Sequence, residues 1–116
     1  MNANSLSGSI PSELGALESM VYVFSLSSNG LSGSLPSELA RLTKLTDGFY
    51  LNANSLSGFI PSELSAWTGL ESNIWLNYNS LSGPLPSELG GMTARNLHFY
   101  LSNNHLSGVI PSELGR

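Results

Sequence analysis

Apolar and polar residues alternate in four short stretches, from Phe24 to Ser27, Phe49 to Asn52, Ile74 to Asn77 and Phe99 to Ser102. A period of two predicts half-buried strands in which Phe24, Phe49, Ile74 and Phe99, with Leu26, Leu51, Leu76 and Leu101, face inward and the residues between them face out. Each stretch runs into an Asn, at 29, 54, 79 and 104, then one variable residue, Leu-Ser-Gly, another variable residue, Ile or Leu, and Pro-Ser-Glu-Leu. Counting the copy that opens at Asn4, the phrase occurs five times, always at the same spacing. A fixed period of this length predicts a solenoid in which each turn packs mainly on its two neighbours.

One turn can be read from its parts. The Asn after the strand predicts a bend in which a short polar side chain satisfies backbone groups turned away from the ladder, and stacked turns would make an internal Asn ladder. Gly8, Gly33, Gly58, Gly83 and Gly108 predict a backbone conformation or close approach that a Cβ would obstruct. Pro-Ser-Glu-Leu reads as the opening of a short helical turn with Glu at its positive end. Leu14, Leu39, Leu64, Leu89 and Leu114 then return to the core, followed by Leu17, Leu42, Trp67 and Met92.

These five in-register copies of Leu-Ser-Gly-x-Ile/Leu-Pro resemble the plant-type leucine-rich repeat family over essentially the whole chain. The resemblance implies an α/β, right-handed solenoid of about 4.5 turns, with a concave parallel sheet, a second short sheet at Leu-Ser-Gly and short 3₁₀ turns on the convex side. It also implies recognition of a protein, peptide, small hormone or glycan, often in receptor ectodomains, hence an extracellular or cell-surface setting. Two departures from the pattern stand out. Each turn carries one extra residue ahead of the strand, beside Val23, Gly48, Asn73 and His98, and Gly48 and Asn73 are expected to take positive φ or form a bulge there. The single module, residues 1–116, also lacks capping segments, with Met1 in a core Leu column and Arg116 half a turn after the last strand. Leu6 and Ile10 at one end and Leu106, Ile110 and Leu114 at the other are therefore expected to need covering.

Composition narrows the function. The net charge of −4, without a basic cluster, argues against nucleic acid or an anionic membrane as partner. There is no cysteine for a disulfide, thiolate site or nucleophile and no apolar run of membrane-spanning length, and the polar first residues of the sequence as given do not read as a signal peptide, so that an exported chain is expected to have had one upstream. No Asn-x-Ser/Thr sequon occurs, though the serines leave O-linked sugar open. His98 and His105 lack partners at metal-ligating spacing, Asp47 is the one aspartate, and no catalytic set emerges, so neither enzyme nor cofactor is expected. Glu13, Glu38, Glu63, Glu88 and Glu113 read as a solvated column whose mutual repulsion, below about 1 kcal/mol per pair, a helical N-terminus offsets. Calcium bridging is the minor alternative. Arg95, standing in the core column of Met20, Leu45 and Leu70, reads as the mark of a distorted turn.

The candidate site is the outward column Ser25, Tyr50, Trp75 and Tyr100, with Tyr78 nearby. Rings on successive turns about 5 Å apart can stack and expose an aromatic ribbon. Asn52, Asn77, Ser27, Ser102 and Asn103 add donors and acceptors beside it. A ribbon suits a sugar ring or an extended chain, while plain strand packing explains the same rings. The competing class of function is structural, with uncapped turns self-associating end to end into a fibre or scaffold. Joining copies leaves much less than one full turn between Asn104 and the next copy's Asn4, which favours truncation from a longer array. Ice binding by Ser and Asn columns is weaker still, since threonine rows are missing.

Overall fold

The structure, a computed structural model, describes residues 4–115, so the core position read for Met1 and the terminal Arg116 lie outside the described residues. Its strands are β1 (Ser7–Ser9), β2 (Val23–Ser25), β3 (Gly30–Gly33), β4 (Gly48–Tyr50), β5 (Ser55–Gly58), β6 (Asn73–Trp75), β7 (Ser80–Gly83), β8 (His98–Tyr100) and β9 (His105–Leu106). They form two parallel sheets, β2-β4-β6-β8 and β1-β3-β5-β7-β9. Between them the chain makes 3₁₀ turns at Ser12–Ala16, Ser37–Arg41, Ser62–Ala66, Ser87–Gly91 and Ser112–Gly115. Four are preceded by Pro11, Pro36, Pro61 and Pro86, whose extended ψ of 128 to 134° sets the entry angle. No helix among the described residues is long and apolar enough to cross a membrane.

The inward columns are where the alternation puts them. Phe24, Phe49, Ile74, Leu51 and Leu76 are buried, as are Leu39, Leu64 and Leu89 from the 3₁₀ side. Phe24 and Phe49 stack at 5.1 Å, and Trp67 closes against Phe49 at 4.5 Å. Where neighbouring turns have Leu42 and Met92, the larger indole brings a polar group into the core, and its Nε1–H is satisfied by donating to the Leu39 carbonyl, 3.2 Å away.

The Asn ladder forms as expected. In each described joint an Asn Oδ1 accepts a backbone N–H of the preceding turn, Leu6 to Asn29, Leu31 to Asn54, Leu56 to Asn79 and Leu81 to Asn104, at 3.0 to 3.1 Å. The Nδ2 of Asn79 donates to Leu51 of the turn before and to Leu76 of its own turn, both at 3.0 Å. Each amide thus ties the end of one sheet to the start of the other. Every Leu-Ser-Gly glycine takes positive φ, between 75 and 87°, where a side chain is strained.

The extra residue is not absorbed by positive φ at Gly48 or Asn73. Gly48 and Asn73 open regular strands, pair directly with each other across β4 and β6, and are absent from the positive-φ residues. The slack lies one position earlier, at a bend over Tyr22, Asp47 and Ser72. There the Tyr22 carbonyl accepts both the Asp47 and the Gly48 N–H, at 3.1 and 3.4 Å, so two residues share one acceptor before the ladder resumes. The left-handed backbone appears instead at Ser28, Ala53, Tyr78 and Asn103, with φ of 55 to 56°.

The fourth turn departs from its predecessors. Leu45 and Leu70 close their turns on Leu42 and Trp67, whereas the equivalent bond runs from Leu97 to Ala94. Arg95 is consequently exposed, and Leu97 packs against the core in its stead. The cause is the cost of burying an unpaired guanidinium, which exceeds that of displacing the turn.

Candidate functional site

The strand face of β2-β4-β6-β8 is ordered by a register in which every residue pairs with its own equivalent in the next turn: Ser25 with Tyr50, Tyr50 with Trp75, and Trp75 with Tyr100. Three large rings therefore meet on adjacent strands. Tyr50 and Trp75 lie 4.7 Å apart with their planes 36° from parallel, and Trp75 meets Tyr100 edge-on at 5.8 Å and 78°. Tilted and edge contacts match the ring quadrupoles better than a face-to-face stack. His98 continues the cluster at 6.5 Å from Tyr100, its Nδ1 paired with the Asn96 carbonyl at 2.8 Å.

The three rings are unequally available. Trp75 is 37% exposed and Tyr100 47%, but Tyr50 is half-buried, because its phenol folds back over Gly48, where an added Cβ would strike the ring. Gly48 thus supplies room, where the sequence pointed to conformational freedom. Tyr78 is 59% exposed and held in the left-handed region, with its N–H on the Ser102 carbonyl and its own carbonyl accepting from Asn54. A bulky residue there is uncommon, and two ladder bonds hold it in place.

Between the ring column and Tyr78 run Ser27, Asn52, Asn77 and Ser102. Ser27 donates to Asn52 Oδ1 at 2.7 Å, and both Asn52 and Asn77 are half-buried. The structure so gathers Tyr50, Trp75, Tyr100, Asn52 and Asn77 on one surface, with Tyr78 at its margin. The left-handed column has one sequence signal, Asn103, a type that tolerates that region. Asp47 and Glu71, exposed on adjacent turns just ahead of β4 and β6, lie outside the candidate column.

Other features gather less. Among the described residues no three histidine or acidic side chains group around a point, and Ser12, Ser87 and Ser112 donate to the Glu beside each. Of the end residues expected to be bare, Ile10 is in fact buried, while Leu6 and Ile110 are exposed and Leu106 and Leu114 half-buried. Ile10 lines the first turn's hollow of about 630 Å³ together with Leu14, Phe24 and Leu31.

The sequence pattern described as Leucine Rich Repeat matches residues 21–42, 72–92 and 97–116. Among curated proteins none matches. Among solved structures, the ectodomain of the Arabidopsis thaliana membrane receptor kinase GASSHO1/SCHENGEN3, in complex with CASPARIAN STRIP INTEGRITY FACTOR 2, is 39% identical over 99% of this chain with a TM-score of 0.88. The Arabidopsis receptor kinase HAESA, in complex with the peptide hormone IDA and the co-receptor SERK1, is 38% identical over 99% of this chain with a TM-score of 0.89. The BIR2 ectodomain of Arabidopsis thaliana is 34% identical over 99% of this chain with a TM-score of 0.85. The chain spans 13%, 19% and 58% of these three, respectively. With more than half of its residues matched by that pattern and one turn repeated through two parallel sheets, the chain belongs to the leucine-rich repeat family, in its plant type.

Proposed function

We propose that this chain is a non-catalytic recognition segment that binds an extended peptide or protein strand across β2-β4-β6-β8, outside the cell, with Trp75 as the anchor. The observation that carries this reading is the ring column, in which Trp75 is braced on both sides yet 37% exposed. Its neighbours have already restricted its rotation, so a ligand that covers it loses little further side-chain entropy. Asn52 and Asn77 flank it with side-chain amides suited to peptide groups. The likeness to the receptor kinase HAESA, solved in complex with the peptide hormone IDA, supports the same reading.

Selecting phage-displayed random peptides on the folded protein supplies a probe. Trp75→Ala should leave the circular dichroism spectrum unchanged and weaken a selected peptide by about 1 to 3 kcal/mol. Peptides that bind this variant equally well, or that compete only through Phe59 on the other sheet, would overturn the assignment. Selection of glycans but no peptides on the same face would replace the ligand class.

A further inference from the structure

We infer that the strand face selects peptides carrying a lysine or arginine near the residue seated on Trp75. The inference rests on the proposed peptide-binding role of that face and adds the chemistry of its ligand. Across the four turns, residues 21–27, 46–52, 71–77 and 96–102 contain two carboxylates, Asp47 and Glu71, and no lysine or arginine. Both acids are exposed and neither carboxylate has a hydrogen-bonding or ionic partner among the described residues. Their backbones are pinned side by side: the Asp47 N–H donates to the Tyr22 carbonyl at 3.1 Å and the Glu71 N–H to the Thr46 carbonyl at 2.8 Å. Successive turns stack about 5 Å apart, and the four residues from Glu71 to Trp75 span at most about 14 Å, two to four peptide residues.

The rings favour the same charge. Trp and Tyr faces attract guanidinium and ammonium groups and give nothing comparable to a carboxylate. A basic ligand residue on this face thus meets the aromatic column with two unpaired carboxylates just ahead of it, while an acidic one meets no lysine or arginine within residues 21–27, 46–52, 71–77 or 96–102. Lys44 and Arg95, both exposed in the turns before β4 and β8, form no ion pair with either acid. The Glu13 to Glu113 column lies in the 3₁₀ turns, away from the strand sheet, and serves as an internal control for charge attraction that is not specific to the face.

The experiment sequences the peptides selected on the intact chain and measures one basic binder against variants. Enrichment of Lys and Arg with depletion of Asp and Glu is expected. The double variant Asp47→Asn, Glu71→Gln should weaken that peptide about 3- to 10-fold and flatten its salt dependence, whereas Glu63→Gln should leave both unchanged. Selected peptides without a basic bias, or a double variant that binds as tightly as the parent, would overturn the inference. If such unbiased peptides still lose affinity in Trp75→Ala, the recognition role stands and only the charge preference falls. If no selected peptide depends on Trp75, both fall together.

Discussion

The two sheets are built from the same repeat, yet they align it differently. In β2-β4-β6-β8 partners stand one full repeat apart, as Phe24 and Phe49 do, so like faces like and a column of rings can form. In β1-β3-β5-β7-β9 partners fall two positions short of a repeat, so Ser32 lies opposite Ser55 and Ser82 opposite His105. Each strand there slips by two positions per turn, which keeps inward residues inward because the side-chain period is also two. Identical columns are sheared out of contact. A surface that depends on neighbours of the same kind can therefore grow on the first sheet only. On the second, Phe59, 67% exposed, reaches across to lie on Gly83 of the next turn and meets no equivalent ring.

The junction between the two registers is the Asn ladder, and removing one rung tests it hardest. Asn79→Ala strips an acceptor from the Leu56 N–H and a donor from the Leu51 and Leu76 carbonyls in a buried site. The expected loss is about 3 to 5 kcal/mol in urea denaturation, since buried groups left unsatisfied cost about 1 to 3 kcal/mol each. A loss below about 1 kcal/mol would mean that the sheets hold their registers without the amide.

Paired glycine substitutions sharpen the comparison at smaller scale. Gly58→Ala on the second sheet forces a side chain onto φ of 77° and should cost about 1 to 2 kcal/mol. Gly48→Ala on the first has no such backbone demand, so it should cost less than about 1 kcal/mol and lift the Tyr50 ring, with a change in near-ultraviolet circular dichroism. Equal costs at the two positions would erase the distinction between a glycine needed for backbone and one needed for space.

The smallest effect should come where the first sheet ends. Tyr78→Asn replaces a bulky residue at φ of 55° by the type that holds the same place as Asn103, and the lost ring is mostly exposed. A gain of about 0.5 kcal/mol in thermal or urea unfolding is expected. If stability falls instead, the Tyr78 ring contributes packing that its exposure conceals.

Much of this was legible in the sequence because it recurs. Five copies of one phrase fix the solenoid period, the inward Phe, Ile and Leu columns, the Asn ladder and the positive φ of the Leu-Ser-Gly glycines, since each is a local demand repeated in every turn. The candidate rings were legible too, as the outward residues between two core positions. What the chain alone could not disclose is how one turn sits on the next. The slip of the second sheet, the left-handed place of Tyr78, the folding of Tyr50 over Gly48 and the passage of a core position from Arg95 to Leu97 all depend on how the backbone and side chains of adjoining turns meet. The repeat determines which residues occupy a turn. Their register, decided by fitting backbone ladders and side-chain volumes across neighbouring turns, is a property of the stack that a single turn does not contain.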